Sequence, residues 1–136
     1  MKYYDNEIRI RYAETDQMGV SYYSNYFIWF EESRTEYFRA LGILYTDFEA
    51  QGLFLPVLEA HCRYHSPTRY DDLIIVRTWI SELGKTSMLF DYIVRNKKDD
   101  SLVSEGYTVH VFINSAFKPV RIPELIVKTV QVIDKP

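Results

Sequence analysis

The chain has 136 residues, of which 47% are hydrophobic and 26% charged, so it has the size and composition of one globular domain spanning 1–136. Its net charge is −3 and its Lys and Arg residues are scattered along the chain, which argues against nucleic acid as a partner. No uncharged stretch reaches the ~20 residues that a membrane-spanning helix needs, and the single Cys62 together with an N-terminus lacking an apolar leader predicts a cytoplasmic location.

The first predicted elements are a short strand and one long helix. Apolar residues alternate with arginines from Glu7 to Tyr12, the period of a half-buried strand. A polar stretch, 13–22, follows. Apolar residues then recur at helical spacing from Tyr23 to Leu41, and Gly42 stands where a glycine commonly ends a helix.

The second half of the chain predicts four long strands and a short helix. The strands are Phe54 to Ser66, Leu73 to Leu83, Ser87 to Asn96 and Leu102 to Asn114. Turn-length polar segments separate the last three strands, which we therefore expect to form an antiparallel meander. A short helix is expected after Pro123, with Leu125, Ile126 and Val130 facing inward.

This order of elements predicts an α+β fold in which one long helix lies across an antiparallel sheet. One helix cannot cover both faces of such a sheet, so an apolar face or an unpaired edge strand remains. Because association with a second copy is the commonest remedy, we expect a homo-oligomer, either a homodimer or a homotetramer.

Two kinds of ligand site are not supported by the spacing of their usual residues. Gly84, Lys85 and Thr86 resemble the end of a phosphate-binding loop, but the glycine that such a loop requires is replaced by Trp79. His61 and His65 lie on one face of a strand about 13 Å apart, which is too far to share one ion. No metal and no cofactor are therefore expected.

The segment between the first strand and the long helix has the character of an active site. Asp16 lies in this loop, next to a helix start lined by aromatic residues. Helix starts leave backbone N–H groups free and carry partial positive charge, so they can stabilise an oxyanion. A carboxylate that merely braces the loop is the alternative reading.

These residues, taken together, resemble the hotdog-fold acyl-CoA thioesterases, in particular the 4-hydroxybenzoyl-CoA thioesterase and YbgC-like group. The resemblance runs from Ile8 to about Val130. It is carried by the pattern Tyr12, Asp16 and Gly19, the segment YSNY at 23–26, the helix residues Glu31, Arg34 and Glu36, the turn SPTRYDDL at 66–73, and GKTS at 84–87. It implies a hotdog fold, in which a five-stranded antiparallel sheet wraps around the long helix.

The resemblance also implies the roles of individual residues. Asp16 matches the catalytic aspartate, as nucleophile or general base, and Tyr23 matches the residue whose backbone N–H polarises the thioester carbonyl. The substrate-binding residues implied are Tyr12, Gly19, Lys85, Thr86 and Ser87, the last three lying near the coenzyme A part of the substrate. The implied activity is hydrolysis of an acyl-CoA thioester.

Two other functions are compatible with the same residues. One is hydrolysis of thioesters on acyl carrier protein, whose acidic surface requires a basic patch that the linear sequence does not show. The other is a non-catalytic module that binds acyl thioesters. The presence of Asp16 at the expected spacing favours an enzyme over the binding module.

Overall fold

The computed structural model describes residues 1–136 and contains five strands, three α-helices and one 3₁₀ turn. The strands are β1 (Tyr4–Arg9), β2 (Val57–Tyr64), β3 (Leu73–Leu83), β4 (Ser87–Asn96) and β5 (Leu102–Val111). The helices are α1 (Asn25–Ala40), α2 (Tyr45–Ala50) and α3 (Glu124–Thr129), and the 3₁₀ turn is Tyr12–Glu14.

All five strands form one antiparallel sheet in the order β1-β3-β4-β5-β2. Strands β3, β4 and β5 form the expected meander, because short turns join them and their inward residues alternate with outward ones. Helix α1 packs against β1, β3 and β2, so the sheet curves around it. The predicted α+β hotdog architecture is confirmed.

Helix α1 is the longest helix, with sixteen residues, and it buries one aromatic face in the core. The positive φ of Gly42 ends the helix, as its sequence position indicates. No helix of the structure is both long enough and apolar enough to cross a membrane.

A glycine lets α1 approach the sheet closely. The Phe30 ring lies stacked on Tyr92, with 4.1 Å between the ring centroids. A Cβ atom on Gly106 would lie 2.7 Å from the Phe30 ring and 2.4 Å from the carbonyl oxygen of His61. Because real Cβ atoms do not come so close to other atoms, only glycine fits at position 106. The close packing of Phe30 on this glycine sets the distance between α1 and β5.

The first strand differs from its prediction at both ends. It begins at Tyr4 and ends at Arg9, and the chain then turns at Tyr12 rather than extending through it. The Tyr12 side chain is 77% exposed, so the expectation that the strand runs to Tyr12 is wrong. The physical reason is the Glu14 carboxylate, which accepts the Arg11 N–H at 2.8 Å and closes the 3₁₀ turn.

Strand β2 is an edge of the sheet. It pairs only with β5, and seven of its eight residues are exposed, the exception being the half-buried Cys62. The exposed residues include Val57, Leu58 and Tyr64. An unpaired edge that carries apolar side chains is a ready site for pairing with another chain.

Candidate active site

Asp16 is held in a tight loop between the 3₁₀ turn and α1. Its N–H donates to the Val20 carbonyl and its carbonyl accepts the Gly19 N–H, both at 2.9 Å. The carboxylate oxygen Oδ1 accepts the Met18 N–H at 2.9 Å. The loop therefore uses one carboxylate oxygen for its own turn and leaves Oδ2 without a protein partner.

The half-buried Asp16 lines a cavity of about 350 Å³. The cavity lies where the Asp16 loop, the start of α1 and the end of β2 meet, and Tyr23, Tyr26, Tyr64 and His65 are among its lining residues. The two residues that the sequence analysis names as catalytic, Asp16 and Tyr23, are thus brought to one cavity.

The backbone N–H of Tyr23 is a free hydrogen-bond donor. The Tyr23 N–H makes no hydrogen bond to any protein group, and the same is true of the Ser24 N–H. In the peptide group that contains the Tyr23 N–H, the Tyr22 carbonyl accepts the Asn25 N–H at 3.0 Å. The Tyr23 N–H is therefore held in a fixed place at the start of α1, where the helix dipole favours negative charge.

Two tyrosine hydroxyls border the cavity. The Tyr64 hydroxyl donates to the Tyr23 carbonyl at 2.8 Å, and the Tyr26 hydroxyl hydrogen-bonds the Thr68 hydroxyl at 3.1 Å. Burial raises the pKa of both tyrosines, so both hydroxyls stay protonated and neutral near pH 7. Their rings meet edge to face at 4.9 Å between centroids, which joins β2 to the start of α1.

A buried chain of hydroxyl groups attaches the Asp16 loop to the turn before β3. Thr68 is fully buried, and its hydroxyl donates to the Ser21 hydroxyl at 2.8 Å. The Ser21 N–H donates to the Thr68 carbonyl, also at 2.8 Å. Since Ser21 lies between Asp16 and Tyr23, these bonds fix the spacing of the two site residues.

Glu14 is a buried carboxylate that braces the same loop. It is 5% exposed, and its two oxygens accept the Arg11 N–H and the indole N–H of Trp29, each at 2.8 Å. Its carbonyl accepts the Tyr22 N–H at 2.8 Å and the side-chain amide of Asn25 at 2.9 Å. Through these four bonds Glu14 ties the loop to the start of α1.

We expect the substitution Glu14→Gln to lower the free energy of unfolding by about 1–3 kcal/mol. A glutamine amide has one oxygen and one NH₂ group, so the N–H of Arg11 or of Trp29 loses its acceptor and faces a donor. Urea denaturation measures the change. The control is Glu36→Gln, which removes an exposed pair with Arg39 and should change stability by under about 1 kcal/mol. Equal effects of the two substitutions would contradict the bracing role of Glu14.

Two of the predicted substrate-binding residues, Tyr12 and Gly19, do not line the cavity. Tyr12 points outward and its ring contacts Tyr70 at 5.5 Å between centroids. Gly19 has a φ of +79°, which suits glycine at a tight turn. Its carbonyl accepts a hydrogen bond from Arg69 at 3.3 Å. In the structure Gly19 thus shapes the Asp16 loop.

The other predicted substrate-binding residues, Lys85, Thr86 and Ser87, lie at the opposite end of the sheet. Strand β1 ends beside Leu73, where β3 begins, and the 84–87 turn follows Leu83. Ten residues of strand separate these ends by about 33 Å. Within one chain, the structure does not bring this turn to the Asp16 cavity.

The site contains no arrangement typical of a metal centre. No group of three or more His, Cys, Asp or Glu side chains is close enough to hold an ion. His65 lines the cavity but its ring bonds the Glu105 carboxylate at 2.9 Å. The groups available for chemistry are therefore a carboxylate oxygen, a free backbone N–H and neutral tyrosine hydroxyls, a set suited to attack on a polarised carbonyl.

Comparison with known proteins identifies what the chain is similar to. The family model described as the thioesterase-like superfamily matches residues 10–130. The putative acyl-CoA thioesterase YneP of Bacillus subtilis is 35% identical over 116 residues, which cover 85% of this chain and 83% of that protein. The acyl-CoA thioester hydrolase YbgC of Escherichia coli O157:H7 is 28% identical over 88% of this chain and 90% of its own length.

The solved structures agree with the sequence relatives. A DHNA-CoA thioesterase from Staphylococcus aureus is 38% identical and superposes with a TM-score of 0.86, covering 89% of this chain and 81% of that chain. The likeness therefore extends over most of this chain.

Proposed function

This chain belongs to the thioesterase-like superfamily and is an acyl-CoA thioesterase, and we propose that Asp16 and the backbone N–H of Tyr23 carry out the hydrolysis. The observation that carries the proposal is their placement: a carboxylate oxygen without a protein partner and an unpaired amide border one cavity. Hydrolysis of a thioester needs these two groups, one to attack the carbonyl carbon or activate water for that attack, and one to stabilise the negative charge that forms on the carbonyl oxygen.

Asp16 delivers the attack through its free oxygen. In the direct route the carboxylate oxygen bonds to the thioester carbon, the carbon–sulfur bond breaks, and water then hydrolyses the mixed anhydride. In the indirect route Asp16 takes a proton from the water that attacks the same carbon. Both routes release the acid and coenzyme A, whose sulfur leaves as thiolate and takes a proton from solvent.

The Tyr23 N–H stabilises the oxyanion that forms in either route. This donor already lacks an acceptor, so binding the oxyanion breaks no existing hydrogen bond. The neighbouring Tyr64 hydroxyl holds the Tyr23 carbonyl and keeps the start of α1 in place. A donor fixed before the reaction costs no reorganisation when charge develops.

We expect purified protein to release free thiol from acyl-CoA, and to do so at the same rate with an excess of EDTA. The carboxylate and the amide supply both groups that the reaction needs, so no metal or cofactor takes part. A thiol-reactive dye measures the release. Tight acyl-CoA binding without thiol release would instead favour a non-catalytic binding module, and a rate that falls on chelation would contradict the cofactor-free mechanism.

The enzyme acts as a homo-oligomer in this proposal. The support is the unpaired, partly apolar edge of β2, which ends at the cavity residue Tyr64. A second copy also offers a way for the 84–87 turn to approach Asp16, because the two lie at opposite ends of the sheet within one chain. Lys85, Thr86 and Ser87 then bind the coenzyme A part of a thioester held by the other copy.

Coenzyme A, rather than acyl carrier protein, is the proposed thiol carrier. The net charge of −3 disfavours docking of an acidic carrier protein, whereas a single lysine such as Lys85 can serve a phosphate group as a point charge. The proposed location is the cytoplasm, which suits the unpaired thiol of Cys62.

A further inference from the structure

Several hydroxyl groups border the Asp16 cavity, and two of them already donate their protons to the protein backbone. The Tyr64 hydroxyl donates to the Tyr23 carbonyl at 2.8 Å, and the Ser66 hydroxyl donates to the Leu102 carbonyl at 2.7 Å. A hydroxyl group has a single proton. These two groups therefore have no proton left to donate to a ligand in the cavity.

A third hydroxyl of the cavity, that of Tyr26, begins a buried chain of three. The Thr68 hydroxyl donates to the Ser21 hydroxyl at 2.8 Å. Because Thr68 has spent its one proton there, Tyr26 is the donor in the 3.1 Å bond between Tyr26 and Thr68. Burial raises the pKa of Tyr26, which therefore keeps its proton near pH 7. The hydrogen bonds thus run in one direction, from Tyr26 through Thr68 to Ser21.

Ser21 ends this chain, and its own proton has no acceptor in the protein. Its oxygen accepts the bond from Thr68, which is the one hydrogen bond that its hydroxyl makes. Ser21 is 7% exposed and lines the Asp16 cavity. The remaining hydroxyls of the lining, those of Tyr22 and Tyr23, belong to exposed side chains. Ser21 therefore provides the hydroxyl of this cavity that is both buried and free to donate.

The backbone holds Ser21 beside both reacting groups. Ser21 pairs with Thr15 in an isolated antiparallel bridge, and Thr15 directly precedes Asp16. The Ser21 N–H donates to the Thr68 carbonyl at 2.8 Å, and one residue separates Ser21 from Tyr23. A donor that is fixed before the reaction acts most strongly on the charge that develops during it. In this cavity that charge develops on the carbonyl oxygen of the thioester.

We propose that the Ser21 hydroxyl is a second hydrogen-bond donor to the thioester carbonyl oxygen, beside the Tyr23 N–H. This inference rests on the proposed function. As Asp16, or the water that it activates, bonds to the carbonyl carbon, negative charge grows on the oxygen. Ser21 donates a hydrogen bond to that oxygen and keeps its proton. Thr68 and Tyr26 are positioning residues, because each orients the next hydroxyl of the chain.

The substitution Ser21→Ala is expected to lower kcat about 10- to 100-fold and to leave KM within about threefold, because the donor acts on charge that the bound substrate lacks. Hexanoyl-CoA and benzoyl-CoA are tried, and the faster substrate is used throughout. The matched control is Ser33→Ala. Ser33 is also buried, accepts one hydrogen bond, from Asn6 at 3.2 Å, and does not line the cavity, so kcat should stay within about twofold. Wild-type kcat in Ser21→Ala, or equal losses in both variants, would overturn the inference.

Two substitutions of Thr68 test the orientation of the Ser21 hydroxyl without changing Ser21. Thr68→Val keeps the shape of the side chain but removes its hydroxyl, so Ser21 loses the bond that orients it and kcat should fall about three- to tenfold. Thr68→Ser retains the hydroxyl and should keep kcat within about twofold. Thermal unfolding shows which variants are folded. If Ser21→Ala does not fold, equal kcat in Thr68→Val and Thr68→Ser would contradict the role of Ser21.

Isotope-edited infrared spectroscopy tests which atom Ser21 contacts. Asp16→Asn protein binds the same acyl-CoA, labelled with ¹³C at its carbonyl, without rapid turnover. Adding Ser21→Ala should move the carbonyl stretch to higher wavenumber, since one donor to the oxygen is lost, and adding Ser33→Ala should leave it in place. A band that Ser21→Ala does not move means that the inference fails while the role of Asp16 stands. Nearly wild-type activity of Asp16→Asn would instead contradict the proposed function.

Discussion

Replacing Asp16 with asparagine is expected to lower kcat for acyl-CoA hydrolysis by about 10²- to 10⁴-fold. Asparagine has nearly the same shape, and its Oδ1 can still accept the Met18 N–H that closes the loop. Its amide nitrogen replaces the free carboxylate oxygen, so the side chain neither attacks the thioester carbon nor takes a proton from water. Initial rates of thiol release, with KM measured separately, give the loss.

The controls for this substitution distinguish lost chemistry from lost structure. Thermal unfolding of Asp16→Asn should match the wild type, because the turn is kept. Asp47→Asn, at an exposed aspartate in the first turn of α2, should leave kcat within about twofold, since it does not line the Asp16 cavity. If Asp16→Asn hydrolyses acyl-CoA at nearly the wild-type rate, Asp16 is not the group that delivers the attack.

A single turnover in water enriched in ¹⁸O then tests for the mixed anhydride of the direct route, since only that route can place the label on Asp16. A mixed anhydride that water attacks at the carboxyl carbon of the aspartate leaves the label on Asp16, where mass spectrometry of the peptide detects it. Direct attack of water on the thioester carbon places the label only in the released acid. The same experiment on Asp16→Asn provides the background.

The sequence was most informative about the second half of the fold. The predicted bounds of β3 and β4 match the structure residue for residue, because turn residues interrupt a strong two-residue alternation of apolar side chains. Helix α2 was not predicted, since its six residues bury only Phe48 and give too short a pattern to recognise. The expected inward position of Leu125 was also wrong: it is exposed, and α3 buries Ile126.

The geometry of the candidate site was predictable only where its residues are close in sequence. Asp16 and Tyr23 lie seven positions apart beside a recognisable helix start, and they line one cavity. The buried partners could not be predicted, because the Trp29 indole reaches Glu14 across 15 positions and Thr68 reaches Ser21 across 47. The sequence around Glu14 contains no signal that distinguishes its buried carboxylate from a carboxylate on the surface.

The substitution Tyr23→Pro is expected to lower kcat by about 10²- to 10³-fold, the usual effect of removing one oxyanion donor. Proline has no N–H, so the free hydrogen-bond donor at the start of α1 is lost. It keeps the carbonyl that accepts the Tyr64 hydroxyl, and it lies before the first helical residue, Asn25, where no helical hydrogen bond is lost. The matched control is Tyr23→Ala, which removes the ring but retains the N–H.

The ratio of kcat between the Pro and Ala variants isolates the contribution of one backbone hydrogen. The ring of Tyr23 contacts those of Tyr22 and Tyr64, at 4.8 and 6.5 Å between centroids, so Tyr23→Ala should mainly raise KM and change kcat by less than about tenfold. If both variants lose kcat equally, the ring and not the amide is responsible. If Tyr23→Pro folds and keeps wild-type kcat, another donor stabilises the oxyanion, and the unpaired Ser24 N–H is the next group to test.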